Sequence, residues 1–405
     1  MIKCLFSILS LLLCFSSISQ TIINSTVVQP GHSNDVNAAI FSPLKTKRMA
    51  TAGWDNKINI YQADSPFNLL QSLNGHNASV NCLAYNITGG ILASGGNDFN
   101  VMFWDSFYRR KSVPEDLNNR HQANINSLVF DRANKYLFSG DNNGKIIIWD
   151  AINPKALKSL NTSAPINDIS LSPNPANIFI ASSEPKIKLI ALATNKIVKT
   201  LDGHTDAVNS IAISPNNLYL ISGSNDKTAR IWDLRSMKQL YLLKVECWKV
   251  TAVAFTDDSK YCVTACNDGS IKVWETETGK LINNTEPQNF NIRDINFSKN
   301  GQMLIVAPLM RGSKEYGARL MKSNIPVLVP QVFLKPLTAP QKALDSLMKI
   351  RTLTKQDSLK YKNLLTTKSK DQLLLLVQSK SLKIDSAIIY KTPMLQKKND
   401  KIKSH

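Results

Sequence analysis

The chain has 405 residues, a formal net charge of +19, six cysteines and only five histidines. With no metal-ligand spacing among them, these residues exclude a histidine- or cysteine-rich metal centre. The charge is uneven: residues 341–405 hold fifteen Lys or Arg against five acids, a net +10.

The chain opens with MIKCLFSILSLLLCFSSISQ. One Lys, an apolar run and then Ser-Ile-Ser before Gln20 read as a secretory signal over residues 1–19. The run is short of the roughly 20 apolar residues of a membrane span. Leu13 stands before Cys14, where a lipoprotein signal carries a small residue. The expectation is an exported chain, periplasmic or secreted, with no transmembrane span in its mature form. A cytosolic protein whose hydrophobic start is no signal stays open as a further reading.

From there a short phrase recurs. A branched aliphatic residue followed by Asn occurs at Val36-Asn37, Val80-Asn81, Ile125-Asn126, Ile166-Asn167 and Val208-Asn209. The step continues at Val250-Thr251 and Ile292-Arg293, with intervals of 44, 45, 41, 42, 42 and 42 residues. A second phrase closes the units: MFWD, IIIWD, ARIWD and IKVWE. Between them lie alternating, β-branched runs such as SVNCLAY and LYLISG, which predict short strands. Asn143-Gly144 and Asp268-Gly269 are tight-hairpin signals. Gly-His stands at Gly31-His32, Gly75-His76 and Gly203-His204, and survives as Arg120-His121. A turn acid follows at Asp55, Asp98, Asp226 and Asp268, with Asn143 in that place in the third unit.

A period of about 40–45 residues, with Gly-His early and Trp-Asp late, resembles the WD-repeat family of β-propellers. The resemblance implies an all-β, seven-bladed propeller over residues 20–324. It also implies a buried chain of hydrogen bonds within a blade. The complete sets are His76, Ser94, Asp98, Trp104 and His204, Ser222, Asp226, Trp232. The match is uneven. Unit one ends in Tyr61-Gln62, unit four has Glu184 and Ile190 at the turn and aromatic positions, and unit seven keeps only its first strand clearly. IINSTVV, before the first Gly-His, is expected to supply the outer strand of the last blade and close the ring.

After the repeats, Pro326, Pro330, Pro336 and Pro340 mark a linker over 325–340. Residues 341–395 read as a small, basic, α-helical tail, and 396–405 as a disordered end. The tail could meet an anionic surface or an acidic protein. Lys dominates Arg there and aromatics are scarce, so no nucleic acid is expected.

Four of the five histidines sit at blade positions, which leaves little for a histidine base. No phosphate loop or nucleophile elbow is present. The expected function is therefore a non-catalytic protein-interaction scaffold without cofactor or metal. The alternative is a ligand-binding protein or enzyme using the central channel mouth. An enzyme would cluster unpaired carboxylates there, and a scaffold aromatic and Arg patches. The resemblance places Asn37, Asn81, Asn126, Asn167 and Asn209 in a neutral ring at that mouth, broken by Thr251 and Arg293. Trp54 and Trp248 fall outside the repeat positions, and with Lys249 and Arg293 they form the candidate partner-binding patch. Cys82, Cys247, Cys262 and Cys266 read as buried small hydrophobes, with a bridge from Cys247 to a neighbouring strand left open.

Overall fold

The computed structural model describes residues 23–27, 31–43, 47–64, 67–113, 120–288, 290–298, 303–309 and 317–322. The signal, the linker and the basic tail expected from the sequence lie outside these residues.

The β-branched, alternating runs form seven four-stranded antiparallel sheets. Blades one to six take residues 36–73, 80–111, 125–161, 166–202, 208–244 and 250–284 in chain order. Their first strands pack against one another in a closed ring, so successive strands run outward from a central channel. Blade seven combines Asn291–Phe297, Met303–Leu309 and Arg319–Lys322 with Ile23–Val27. The N-terminal strand is outermost and pairs Thr26 with Leu320 and Val27 with Arg319. Closure thus follows the sequence expectation. The two middle strands of this blade are the part the sequence left indistinct.

Successive side chains point to opposite faces, and the inner strands are buried at nearly every position, so each sheet has two apolar faces. Seven apolar clusters result, one in each interface between neighbouring blades. Blades one and two meet through Ile58, Ile60, Val80 and Trp104, for example, and blades seven and one through Val36, Met49, Ile305 and Leu320. Packing is close enough to dictate glycine: a Cβ on Gly140 would lie 2.6 Å from Ile166 Cγ2 of the next blade. At the rim the outer strands of blades one, three, four, five and six each carry a bulge. Several also start with Lys, as at Lys155, Lys196 and Lys238, and both devices blunt an exposed pairing edge.

The repeat motif becomes a hydrogen-bond chain. In blade five, Trp232 Nε1–H donates to Ser222 Oγ (2.9 Å). Ser222 meets His204 Nε2 (2.8 Å), and His204 Nδ1 meets Asp226 (2.7 Å). An indole only donates and a carboxylate only accepts, so in the neutral imidazole the serine hydroxyl donates to Nε2 and the ring proton sits on Nδ1. Blade two repeats this with Trp104, Ser94, His76 and Asp98. Blade three has it too, which corrects one expectation: the acid is Asp141, 2.7 Å from His121 Nδ1, and not Asn143. Trp149 and Ser139 complete that set. In blade one His32 joins Thr51 and Asp55, and Tyr61 stands in for the tryptophan. Burial pushes the Tyr61 hydroxyl up to about 12.

Blades four and six lack the histidine and compensate with a lysine on strand three, paired with the turn acid in blade four and with an acid of the leading loop in blade six. Lys188 and Lys272 occupy the same repeat position, and each reaches an acid, Glu184 (2.7 Å) or Glu246 (2.9 Å).

Ser222→Ala would strand two buried ring nitrogens, each at about 1–3 kcal/mol. The expected loss is about 2–4 kcal/mol in denaturant unfolding. Ser182→Ala in blade four, where Ser182 only receives the Glu184 amide (3.3 Å), is expected to lose under about 1 kcal/mol. Equal losses at the two sites would refute the network's contribution.

Candidate functional site: the polar mouth of the channel

The aliphatic-Asn phrase marks a β-bulge. In all seven first strands the residue after the aliphatic has no partner on the second strand. A bulge aims its extra side chain away from the ladder. Here those side chains wall one end of the central channel, a cavity of about 470 Å³.

The five asparagines tie the ring together. Each Nδ2 donates to the carbonyl of the aliphatic residue in the next blade: Asn37 to Val80 (3.0 Å), Asn81 to Ile125 (3.1 Å), Asn126 to Ile166, Asn167 to Val208 and Asn209 to Val250 (each 2.8 Å). One end of every amide is therefore committed to the fold. The series stops where the sequence departs from it. Thr251 turns back to Ala265 O of its own blade (3.1 Å). Among the described residues, no hydrogen-bond acceptor meets the guanidinium of Arg293 or the ammonium of Lys249.

A second layer lies deeper. Asp168 accepts from Ser127 Oγ (2.9 Å) of blade three and from Ser210 Oγ (3.2 Å) and Ile211 N (2.9 Å) of blade five. Asp294 accepts from Ala39 N (3.1 Å) and Ile295 N (2.8 Å), which ties blade seven to blade one. Both carboxylates keep a little contact with the channel but have protein on every other side. Desolvation therefore pushes Asp168 up to about 6, against the hydrogen bonds that lower it, and raises Asp294 above the usual range. The Arg293 guanidinium is exposed only into this walled space. Desolvation lowers its pKa, an effect the Asp294 charge opposes.

The cavity brings the five asparagines together with Lys249 and Arg293, and neither candidate indole lines it. Trp54 is 50% exposed beside the mouth, its Nε1–H held by Asn37 Oδ1 (2.7 Å). Trp248 is 76% exposed and leans toward blade five, with Lys227 Nζ 5.3 Å from its ring centre. The loop leading into blade six is fixed beneath it by a disulfide between Cys247 and Cys266. In blades one, two and five the corresponding loop is held by the histidine and by the next backbone N–H, both bound to the turn Asp. Blade six has Glu246 at the histidine position, and the disulfide takes over. Closing a loop of this length is worth about 3 kcal/mol. The sequence reading of Cys266 as a plain core residue is corrected accordingly. Its only signal was position: Cys266 pairs with Val250, three residues from Cys247. Asp168 and Asp294 were also missed; each is an acid two residues after a repeat aliphatic, where Ser127 and Ser210 also stand. No cluster of three His, Cys, Asp or Glu able to hold a metal ion occurs among the described residues.

These acids fix the response to pH. In Asp98 and Asp226 burial raises the carboxyl, but the histidine and backbone hydrogen bonds outweigh it and hold both below the usual range. They stabilise the fold above about pH 4, and that contribution fades on further acidification. Asp168 has the opposite sign. Its ionisation weighs against the fold above about pH 6 and is relieved as pH falls toward 4. The unfolding midpoint at pH 5 is expected to equal or exceed that at pH 7, then to drop below about pH 4. Thermal melts across this range check it, and a steady fall from pH 7 to 5 would contradict the assignment.

A family profile described as WD domain, G-beta repeat, matches residues 23–62, 67–105, 116–150, 195–233 and 238–275. These spans hold the aromatic positions of blades one, two, three, five and six. The blades left out are the fourth, without histidine or tryptophan, and the seventh. No curated protein matches the chain.

Proposed function

Because the chain is a WD-repeat propeller, a family whose members commonly serve as protein-interaction scaffolds, we propose that it is an exported, non-catalytic scaffold that takes a protein partner on the channel-mouth face. The observation that carries this reading is the break in the asparagine series. Five blades use the bulge residue to hold their neighbour. Blades six and seven give up that tie, and blade seven puts in its place a guanidinium that meets no hydrogen-bond acceptor among the described residues. Arg293 and Lys249 suit an acidic side chain of the partner, and the Oδ1 atoms of Asn126, Asn167 and Asn209 suit its N–H groups. Trp54 and Trp248 on the surrounding rim supply apolar anchors. The channel carboxylates support a scaffold over an enzyme, since the oxygens of Asp168 and Asp294 are occupied by hydroxyls and backbone amides. Two features support export: the secretory pattern of residues 1–19, and the Cys247–Cys266 bridge, of a kind that persists in oxidising compartments.

Cross-linking in the native cell followed by mass spectrometry tests the binding face. Trp54→Ala with Trp248→Ala, and separately Arg293→Gln, are each expected to cut partner recovery about tenfold or more. The unfolding midpoint should barely move, because none of these side chains donates a hydrogen bond between blades and the exposed Lys227–Trp248 contact is worth about 1 kcal/mol at most. Full recovery in both variants would overturn the proposal. Intact-mass and peptide analysis of the native protein is expected to find a mature chain starting at Gln20 with Cys247 joined to Cys266. A chain retaining Met1, or a free Cys247, would count against export.

A further inference from the structure

The opposite end of the disc carries a second surface. Strands alternate in direction, so the turns after the first and third strands of every blade lie at the end away from the asparagine ring. After Trp248, the three most exposed large apolar side chains among the described residues are Phe107 (72%), Ile87 (62%) and Ile152 (59%). All three lie in these turns, on adjacent blades two and three.

The repeat supplies an internal control. The position of Phe107 and Ile152, three after the strand-three aromatic, is held by Asp64, Ala193, Arg235 and Glu277 in the other blades. Yet the turn is the same. Phe107 N, Ile152 N and Arg235 N each donate to the Asp two residues earlier, at 2.9, 2.9 and 3.0 Å. A turn that accepts Arg or Glu has no structural need for Phe or Ile. At the inner turn, Ile87 replaces Pro43, Arg132, Pro173, Pro215 and Asp257 of other blades. Its backbone N–H is held by Asn134 Oδ1 of blade three (2.8 Å), and Lys111 Nζ reaches Ile152 O (2.6 Å), so the two blades are joined across the patch. Beside Ile87 opens a cavity of about 290 Å³ walled by Ile40, Phe41, Tyr85, Phe130 and Leu171.

The charge around the patch is positive. Arg109, Lys111, Arg132 and Lys135 border it. The nearby acids are occupied, Asp105 by Arg109 and two backbone amides, and Asp131 and Asp150 by backbone amides. We infer that the underside of blades two and three is a second docking surface, for an acidic protein segment that carries large apolar side chains. Such a segment would set its apolar groups on Phe107, Ile87 and Ile152 and in the cavity, and its carboxylates toward the surrounding cations. This surface is independent of the channel-mouth face, and together they would let one rigid disc hold two partners.

The test uses the full chain and fluorescein-labelled synthetic peptides: one alternating Glu with Leu and Phe, one with Lys in place of Glu, and one with Ser in place of Leu and Phe. Anisotropy is expected to show the first binding about tenfold or more tighter than either control. The triple change Ile87→Ser, Phe107→Ser, Ile152→Ser should remove that binding, and Trp54→Ala with Trp248→Ala should not. Should the triple variant fold poorly, Arg132→Glu with Lys135→Glu serves instead and is expected to invert the preference toward the Lys peptide. Equal binding of the Glu and Lys peptides, or unchanged binding by both underside variants, would overturn the inference. So would a wild-type dimer by light scattering that the underside changes convert to monomer, since the occupant would then be a second copy.

Discussion

Each sheet of this propeller has two apolar faces, and neither can stay in water. A face can be covered only by the next sheet, so the blades must close into a ring. The seven interface clusters and the borrowed N-terminal strand are two sides of that requirement. The same constraint reaches down to single atoms. It leaves no space for a Cβ at Gly140, and it brings first strands near enough for a bulged asparagine to reach the next blade's carbonyl.

Closure also explains how the units can differ without the disc losing its form. The tie of a blade's leading loop to its own turn is made by histidine and aspartate in blades one, two, three and five. Where histidine is missing, blade four holds its leading loop through Ser163, which meets both Glu184 and Lys188, and blade six through Lys272–Glu246 and a disulfide. These solutions are interchangeable because each fastens the leading loop to the body of its own blade. The repeat thus becomes a reference for every position: a residue doing the job of its counterparts needs no other reason to be there. Arg293 in the channel and Phe107, Ile87 and Ile152 on the underside do not do that job.

The two ends of the disc differ in chemistry for a geometric reason. At one end bulges push side chains into the channel, where amides can be satisfied by neighbouring backbone. At the other, ordinary strand ends bring Phe41, Tyr85 and Phe130 around the opening. One end is suited to polar, anionic groups and the other to apolar ones bordered by positive charge.

The sequence alone determined the count of blades, the place of nearly every strand, the closing N-terminal strand and two of the hydrogen-bond chains. These are set by periodicity and local spacing, and Val80, His76, Asp98 and Trp104 carry their spacing in the chain itself. Only the tertiary structure decided the pairings that span a whole blade or cross between blades. It gave the asparagines of the mouth ring their role as inter-blade ties, gave His121 to Asp141 and joined Cys247 to Cys266. It kept Trp54 and Trp248 out of the cavity that Lys249 and Arg293 line. It also gathered Ile87, Phe107 and Ile152 onto one face, although they lie in separate turns and, in the chain, look like scattered hydrophobes. Contacts between blades join residues about forty positions apart and contacts from a leading loop to its own turn about twenty, and no local pattern encodes which of two nearby acids or cysteines will meet a partner at such distances.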